Sequence, residues 1–128
     1  MAAALTLPAV PVLNSPDQVA RWQAGGQGRR CDVMVDTGMN RLGLRAEEAL
    51  GGALDGLAIE TVMSHLASAD EDSARNTAQL NAFRAVRSAF PAARASLANS
   101  AGICLGADYG FDLTRPGLAL YGGIPRAE

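Results

Sequence analysis

The sequence predicts the α/β class, as a parallel array of strands alternating with helices, and three observations carry that prediction. Val33, Met34 and Val35 form a short continuous apolar run that stops at Asp36-Thr37-Gly38, after which Met39-Asn40, Arg41 and Gly43 lead back into helix-forming sequence. That is strand, loop and helix, with the unbroken apolar run expected of a buried parallel strand. Similar strand ends recur downstream at His65, at Asn99-Ser100 and at Arg115. Between them Leu80, Phe83, Val86 and Phe90 are spaced three or four apart, the stripe of an amphipathic helix.

Each element follows in order. Ala9 to Leu13 supply the first strand; the uncharged opening around it lacks a basic start, is interrupted by Pro8 and Pro11, and is too short to span a bilayer. Ser15 then caps a helix, with Pro16 at its first position, Gln18 completing a capping box, Val19 and Trp22 facing inward and Gly25-Gly26 ending it. After the Val33 to Val35 strand, Ala46 to Leu50 form a short helix broken by Gly51-Gly52. Leu57 to His65, rich in β-branched and apolar residues, reads as the next strand. Ala69-Asp70-Glu71-Asp72 is an acidic lead that suits the positive end of the following helix, which Pro91 closes. Phe83 and Phe90 are its expected core anchors. Ala95 to Ala98 form a short strand ending at Asn99-Ser100, and Ala101-Gly102 opens another helical turn. Phe111 to Arg115 form the last strand and run through Pro116-Gly117 into Leu118 to Tyr121, where Tyr121 is expected to pack. About five strands with helices between them is the order of a parallel βα array.

Composition narrows the class of function. A chain of 128 residues, 48% hydrophobic and 19% charged, is ordinary material for a single domain over residues 1–128. Its net charge of −2 and scattered arginines provide no basic stripe for a phosphate backbone, so nucleic acid is not an expected partner. Cys31 and Cys104 suggest neither a disulfide framework nor a zinc site and fit reduced cytosolic thiols. With a single histidine a His-based metal centre is excluded, and no Walker motif, GxGxxG or nucleophile elbow is present.

The strand ends carry the chemistry. In a parallel barrel the active site lies at the C-terminal face, where loops after the last strands commonly hold a phosphate. Asn99-Ser100-Ala101-Gly102 and Arg115-Pro116-Gly117-Leu118 suit that task, because glycines let the backbone approach and a hydroxyl with free N–H groups can hold an anion. Arg41 and Arg115 each follow a strand end beside a glycine, where an arginine is less often idle than on a helix face. His65 alone would read as a satisfied core histidine, and Asp36 and Thr37 as loop-forming residues.

Taken together, DTGMNRLGL, VMSHLASADE with Gln79 and Phe83 behind it, ANSAG and RPGLALYG resemble the successive motifs of the N-terminal barrel of the alanine racemase family, fold-type III enzymes that use pyridoxal 5′-phosphate. The resemblance covers the chain from about Pro8 to Pro125 and rests on four motifs in the family's order. It implies a TIM-type (β/α)8 barrel represented by strands four to eight, incomplete, in a cytoplasmic enzyme, a homodimer when complete, that interconverts L- and D-alanine without contact with a membrane. It further implies that Arg41 lies near the cofactor phenolate and substrate carboxylate, and that His65 belongs to the hydrogen-bond relay behind a catalytic tyrosine. Arg115 would bond the pyridine nitrogen, and Ser100 with the backbone of Gly117 and Leu118 would bind the phosphate, with Asn99 beside them. A guanidinium does not readily give up a proton, so it would leave the ring nitrogen unprotonated and weaken the cofactor as an electron sink.

Departures from the family pattern shape the expectation. All eleven basic residues are arginine, so the family's cofactor lysine has no counterpart here. Met34 stands where many members carry a lysine that becomes carbamylated and orients the arginine matched by Arg41. The family's tyrosine base belongs to a later domain. The expectation is a cofactor-phosphate half of an alanine racemase, inactive by itself; the alternatives are a non-catalytic barrel fragment and a fragment of a broad-specificity amino-acid racemase.

Overall fold

The computed structural model describes residues 5–126. They form β1 (Val12–Leu13), α1 (Pro16–Gly25), β2 (Arg30–Asp36), β3 (Leu44–Arg45), α2 (Ala46–Leu50), β4 (Ala58–Met63), α3 (Ala74–Ala89), β5 (Arg94–Ser96) and α4 (Ser100–Cys104), followed by 3-10 turns at Ala107–Tyr109 and Leu118–Tyr121. The sheet runs β1-β2-β4-β5, with β3 also paired to β2, and every pairing is parallel. This is the α/β array read from the sequence, an open piece of a parallel barrel.

Local chemistry explains most boundaries. Ser15 caps α1 by accepting from the Gln18 N–H at 3.3 Å, and Gln18 returns its side-chain carbonyl to the Asn14 N–H at 2.7 Å, one residue earlier than a standard capping box. On β2 the pleat alternates: Cys31, Val33 and Val35 are buried, whereas Asp32, Met34 and Asp36 are half-exposed on the other face. The buried set shares one core with Val19 and Trp22 of α1 and with Leu80, Phe83 and Val86 of α3. Phe83 is fully buried and meets Phe111 edge to face, with ring centroids 4.9 Å apart; burying such a side chain contributes roughly 2–3 kcal/mol. Ion pairs add far less, since pairs such as Arg21–Asp17 lie between exposed side chains.

Several expectations are corrected. The first strand is two residues long rather than spanning Ala9 to Leu13, because Pro11 has no N–H to offer a ladder; its carbonyl still accepts from the Asp32 N–H at 2.9 Å. The strands read as Leu57 to His65 and Ala95 to Ala98 shorten to Ala58–Met63 and Arg94–Ser96. The acidic lead precedes α3 as read, and Ser73 between them is the cap, accepting from the Arg75 N–H at 3.3 Å. Phe111 to Arg115 do not form a strand. Asp112 and Leu113 both donate to the single Ala95 carbonyl, and the Asp112 carboxylate takes the Ala95 N–H at 2.8 Å, so side-chain and forked bonds replace a ladder. Leu118–Tyr121 is a 3-10 turn, and Tyr121 does not pack: it is 91% exposed. Finally, Leu44–Arg45 pairs with Val35 and Asp36, a strand too short for any alternation to announce.

Candidate active site

The C-terminal ends of β2, β4 and β5 deliver the loops that build the site. After β2, the Asp36 Oδ1 atom accepts from the N–H groups of Gly38, Met39 and Asn40 at 2.9, 2.9 and 3.1 Å. One carboxylate oxygen thereby fixes the turn that leads to Arg41, with Asn40 in the left-handed region at φ 58°. Gly43 then crosses back over the strand end at φ +121°, where a Cβ would stand 2.7 Å from the Asp36 nitrogen. Glycine is required there by contact as well as by conformation.

After β4 the chain passes through Ser64 and His65, and after β5 through Asn99 into α4. Asn99 caps α4, its side-chain oxygen accepting from the Gly102 N–H at 2.8 Å. Gly102 allows α4 to lie close to the β4 loop, since a Cβ would meet the Leu66 Cδ1 at 2.7 Å. Ser100 is buried, and its hydroxyl oxygen accepts from the N–H groups of Gly117 at 3.0 Å and Ala119 at 3.1 Å. The Ser100 and Gly117 loops are therefore joined.

Arg115 sits between them. Its main-chain N–H donates to the Ala98 carbonyl at 2.9 Å. Its guanidinium donates to the carbonyl and hydroxyl of Ser96 and to the carbonyl of Ser64, bridging the ends of β4 and β5. No carboxylate pairs with it among the described residues. Burial lowers its pKa from the ordinary arginine value, and the fork of five donors retains N–H groups beyond those used. His65 is half-buried; burial, and then the charges of Arg115 and Arg41, lower its pKa.

These loops surround an open cleft of about 650 Å³ whose lining includes His65, Asn99, Ser100, Arg115, Gly117 and Leu118. Six of the seven residues singled out in the sequence thus share one cleft. Arg41 is exposed outside that lining, yet its charge reaches His65. Sequence reasoning missed Asp70 and Arg126, which also line the cleft. Arg126 donates to the carbonyls of Ala69 at 2.9 Å and Glu71 at 3.1 Å and pairs with Asp72, folding the C-terminal stretch over the acidic lead. Gln79, quoted with the family motifs but given no role there, is a polar residue on the buried stripe of α3, one turn before Phe83, where a buried amide must find partners. Among the described residues no His, Cys, Asp or Glu group is arranged to hold a metal ion, and no helix is long and apolar enough to cross a membrane.

Parallel strands whose C-terminal loops enclose a cleft with an unpaired guanidinium, a buried hydroxyl and a half-buried imidazole define the loop face of a parallel βα-barrel domain, where such folds carry their sites. The model of the alanine racemase N-terminal domain matches residues 1–125, and the chain belongs to that family. An alanine racemase of Rhizobium meliloti is 52% identical over 123 residues, an alignment covering 89% of this chain and 32% of the relative. A catabolic alanine racemase of Agrobacterium fabrum is 50% identical over 127 residues, covering 91% of this chain and 33% of that protein. The crystal structure of alanine racemase from Bartonella henselae with covalently bound pyridoxal phosphate is similar with a TM-score of 0.87 and 35% identity, covering 97% of this chain and 39% of that one. The chain thus spans about a third of the length of the curated relatives it matches.

Proposed function

We propose that the chain is the part of a pyridoxal-phosphate-dependent alanine racemase that supplies the cofactor's phosphate and pyridine-nitrogen contacts, in a cytoplasmic enzyme that is a homodimer when complete. The observation that carries this reading is the guanidinium of Arg115, held by carbonyls and a hydroxyl rather than by a carboxylate, in the same cleft as Ser100 and Gly117. A cation kept free of an anionic partner suits an uncharged acceptor such as a ring nitrogen beside a phosphate.

The residues fit the group. Ser100 and the N–H groups of Leu118 and of Gly117, the latter turning from the Ser100 hydroxyl it now meets, would hold the phosphate, with Asn99 fixing the turn that presents Ser100. A Cβ built on Gly117 meets nothing within 4 Å, so the approach to that backbone is open. Arg115 would offer a hydrogen bond to the ring nitrogen while keeping its proton, because a guanidinium stays charged even when burial lowers its pKa. His65, held neutral by burial and by two arginines, would accept or pass a hydrogen bond in the relay behind a tyrosine base. Arg41 would neutralise the substrate carboxylate. When bound, pyridoxal phosphate supplies the electron-withdrawing ring that makes the α-carbon of alanine acidic.

The 128-residue chain alone should not racemise alanine, since it contains no lysine to bind the cofactor covalently or to act as one of two opposed bases. The test is replacement. Grafted in place of the matching segment of the Rhizobium meliloti enzyme, with which it shares 52% identity, the chain should give an active alanine racemase, and Arg115→Glu in that chimera should abolish most of the activity. A folded chimera without turnover, or one indifferent to Arg115, would overturn the reading.

A further inference from the structure

We propose that Gln79 is a positioning residue that locks the Arg41 loop to the His65 segment, so that these two side chains meet a ligand from fixed places. The inference rests on the reading of the cleft as the racemase site and adds a residue to it. Gln79 projects from α3 and is only 2% exposed. Its side-chain oxygen accepts from the Ala67 N–H at 2.9 Å. Its amide nitrogen donates to the His65 carbonyl at 3.0 Å and to the Thr37 hydroxyl at 3.3 Å. Thr37 in turn lies 2.7 Å from the Ser64 hydroxyl. One buried amide therefore holds the His65 carbonyl and the Ala67 N–H and ties them to the loop that carries Arg41.

The contact is specific to the loops. A Cβ on Gly38 would lie 3.5 Å from the Gln79 Cγ, so the Gln79 side chain runs beside this loop. Arg75, one turn earlier on α3, donates to the Gly38 carbonyl at 3.2 Å and adds a second tie. Asp36 shapes the Arg41 loop internally, and Gln79 sets where that shape stands relative to β4. The core needs no amide at this position, since an apolar side chain of equal length would fill the volume. What an apolar replacement would lose is the hydrogen bonds of Gln79 to Thr37, His65 and Ala67, while those of Arg75 and Asn76 stay.

His65 is the chain's single histidine, so its imidazole resonances report the arrangement without ambiguity. Arg115 and Arg41 act on it by charge, and Asp70 and Arg126 line the same cleft. In Gln79→Met, which keeps the volume, the His65 titration midpoint should rise towards its ordinary value as the ring gains solvent and leaves the arginines. Thr37→Val, which removes the loop end of the link together with the Thr37–Ser64 contact, should move it less and in the same direction, and the double variant should shift by less than the sum of the two. Leu80→Val, which loosens the same helix without touching the amide, should leave the titration unmoved. A folded Gln79→Met with the wild-type titration, additive shifts in the double variant, or an equal shift in Leu80→Val would overturn the role. If Gln79→Met does not fold, Thr37→Val decides, and an unmoved midpoint there overturns it. Addition of pyridoxal phosphate to the wild-type chain is a separate arm: unperturbed His65 resonances would count against the functional reading and leave the positioning result standing.

Discussion

Arg115 donates a guanidinium hydrogen bond to the main-chain carbonyl of Ser64, a residue 51 positions earlier in the chain. With the companion bond to the Ser96 carbonyl at 2.9 Å, it clamps two strand ends of the sheet at the rim of the cleft. A lysine keeps the charge but has one nitrogen and cannot span both carbonyls in a plane. Arg115→Ala should cost roughly 2–3 kcal/mol, the scale of hydrogen bonds to a charged group together with the carbonyls left unpaired, and Arg115→Lys should cost part of that. Urea denaturation of the three chains checks the order; an Arg115→Ala midpoint equal to wild type would show that the clamp carries no stability.

His65 makes stability depend on pH, and the sign follows from its environment. Burial first, and then Arg115 and Arg41, lower its pKa below the ordinary 6.5, so the unfolded chain binds the proton more readily. Stability therefore rises with pH through the window just below that value and is lost as the solution is acidified from neutrality. Asp32 acts with the opposite sign lower on the scale, where its raised carboxyl pKa, caused chiefly by burial, favours the folded state in acid. Melting temperature should fall between about pH 7 and pH 5.5, and His65→Asn should flatten that slope; a slope unchanged by the substitution would assign it to other groups.

The sheet was legible in the sequence wherever apolar and β-branched residues run together. Val33 to Val35 and the β-branched and apolar stretch ending at Met63 announce themselves by composition, although β2 buries only alternate residues and β4 is buried only from Thr61 on. The last segment misled for the same reason in reverse: Phe111 packs on Phe83 and looks like strand sequence, yet Asp112 spends its carboxylate on the Ala95 N–H and breaks the ladder. The residues at strand ends that line the cleft stood out in the sequence because glycine and polar residues interrupt apolar runs. The contacts of Gln79 and Arg126 were not legible, since Gln79 reaches Thr37, His65 and Ala67 and Arg126 reaches Ala69, Glu71 and Asp72, and no local pattern records a contact made across the fold.

Gly43→Ala tests the crossing behind Arg41. An added Cβ would strike the backbone nitrogen of Asp36 at 2.7 Å while the residue is held at φ +121°, a region L side chains rarely adopt. Backbone cannot yield as a flexible side chain can, so the cost should reach about 2–4 kcal/mol, strain and overpacking together. Gly28→Ala, at φ +70° with nothing within 4 Å, carries the conformational cost alone and should lose roughly 1 kcal/mol. Chemical denaturation of both variants separates the contributions; equal losses would mean that the contact at Gly43 is relieved by loop movement.

The state of the isolated chain in solution follows from what its surface exposes. At one end of the sheet β1 pairs only with β2, leaving its other edge without a strand among the described residues. At the other end Leu118, Leu120, Tyr121 and Ile124 are 55%, 73%, 91% and 83% exposed. An open edge offers unpaired N–H and C=O groups, and a cluster of exposed apolar side chains on so small a protein is unfavourable in water. The 128-residue chain should therefore self-associate or bind a hydrophobic dye, and Leu120→Lys with Tyr121→Lys should reduce both responses without changing the far-ultraviolet circular dichroism. Light scattering with dye fluorescence measures this directly. A monodisperse, dye-negative wild-type monomer with a cooperative melt would show that five strands suffice to close this sheet against solvent.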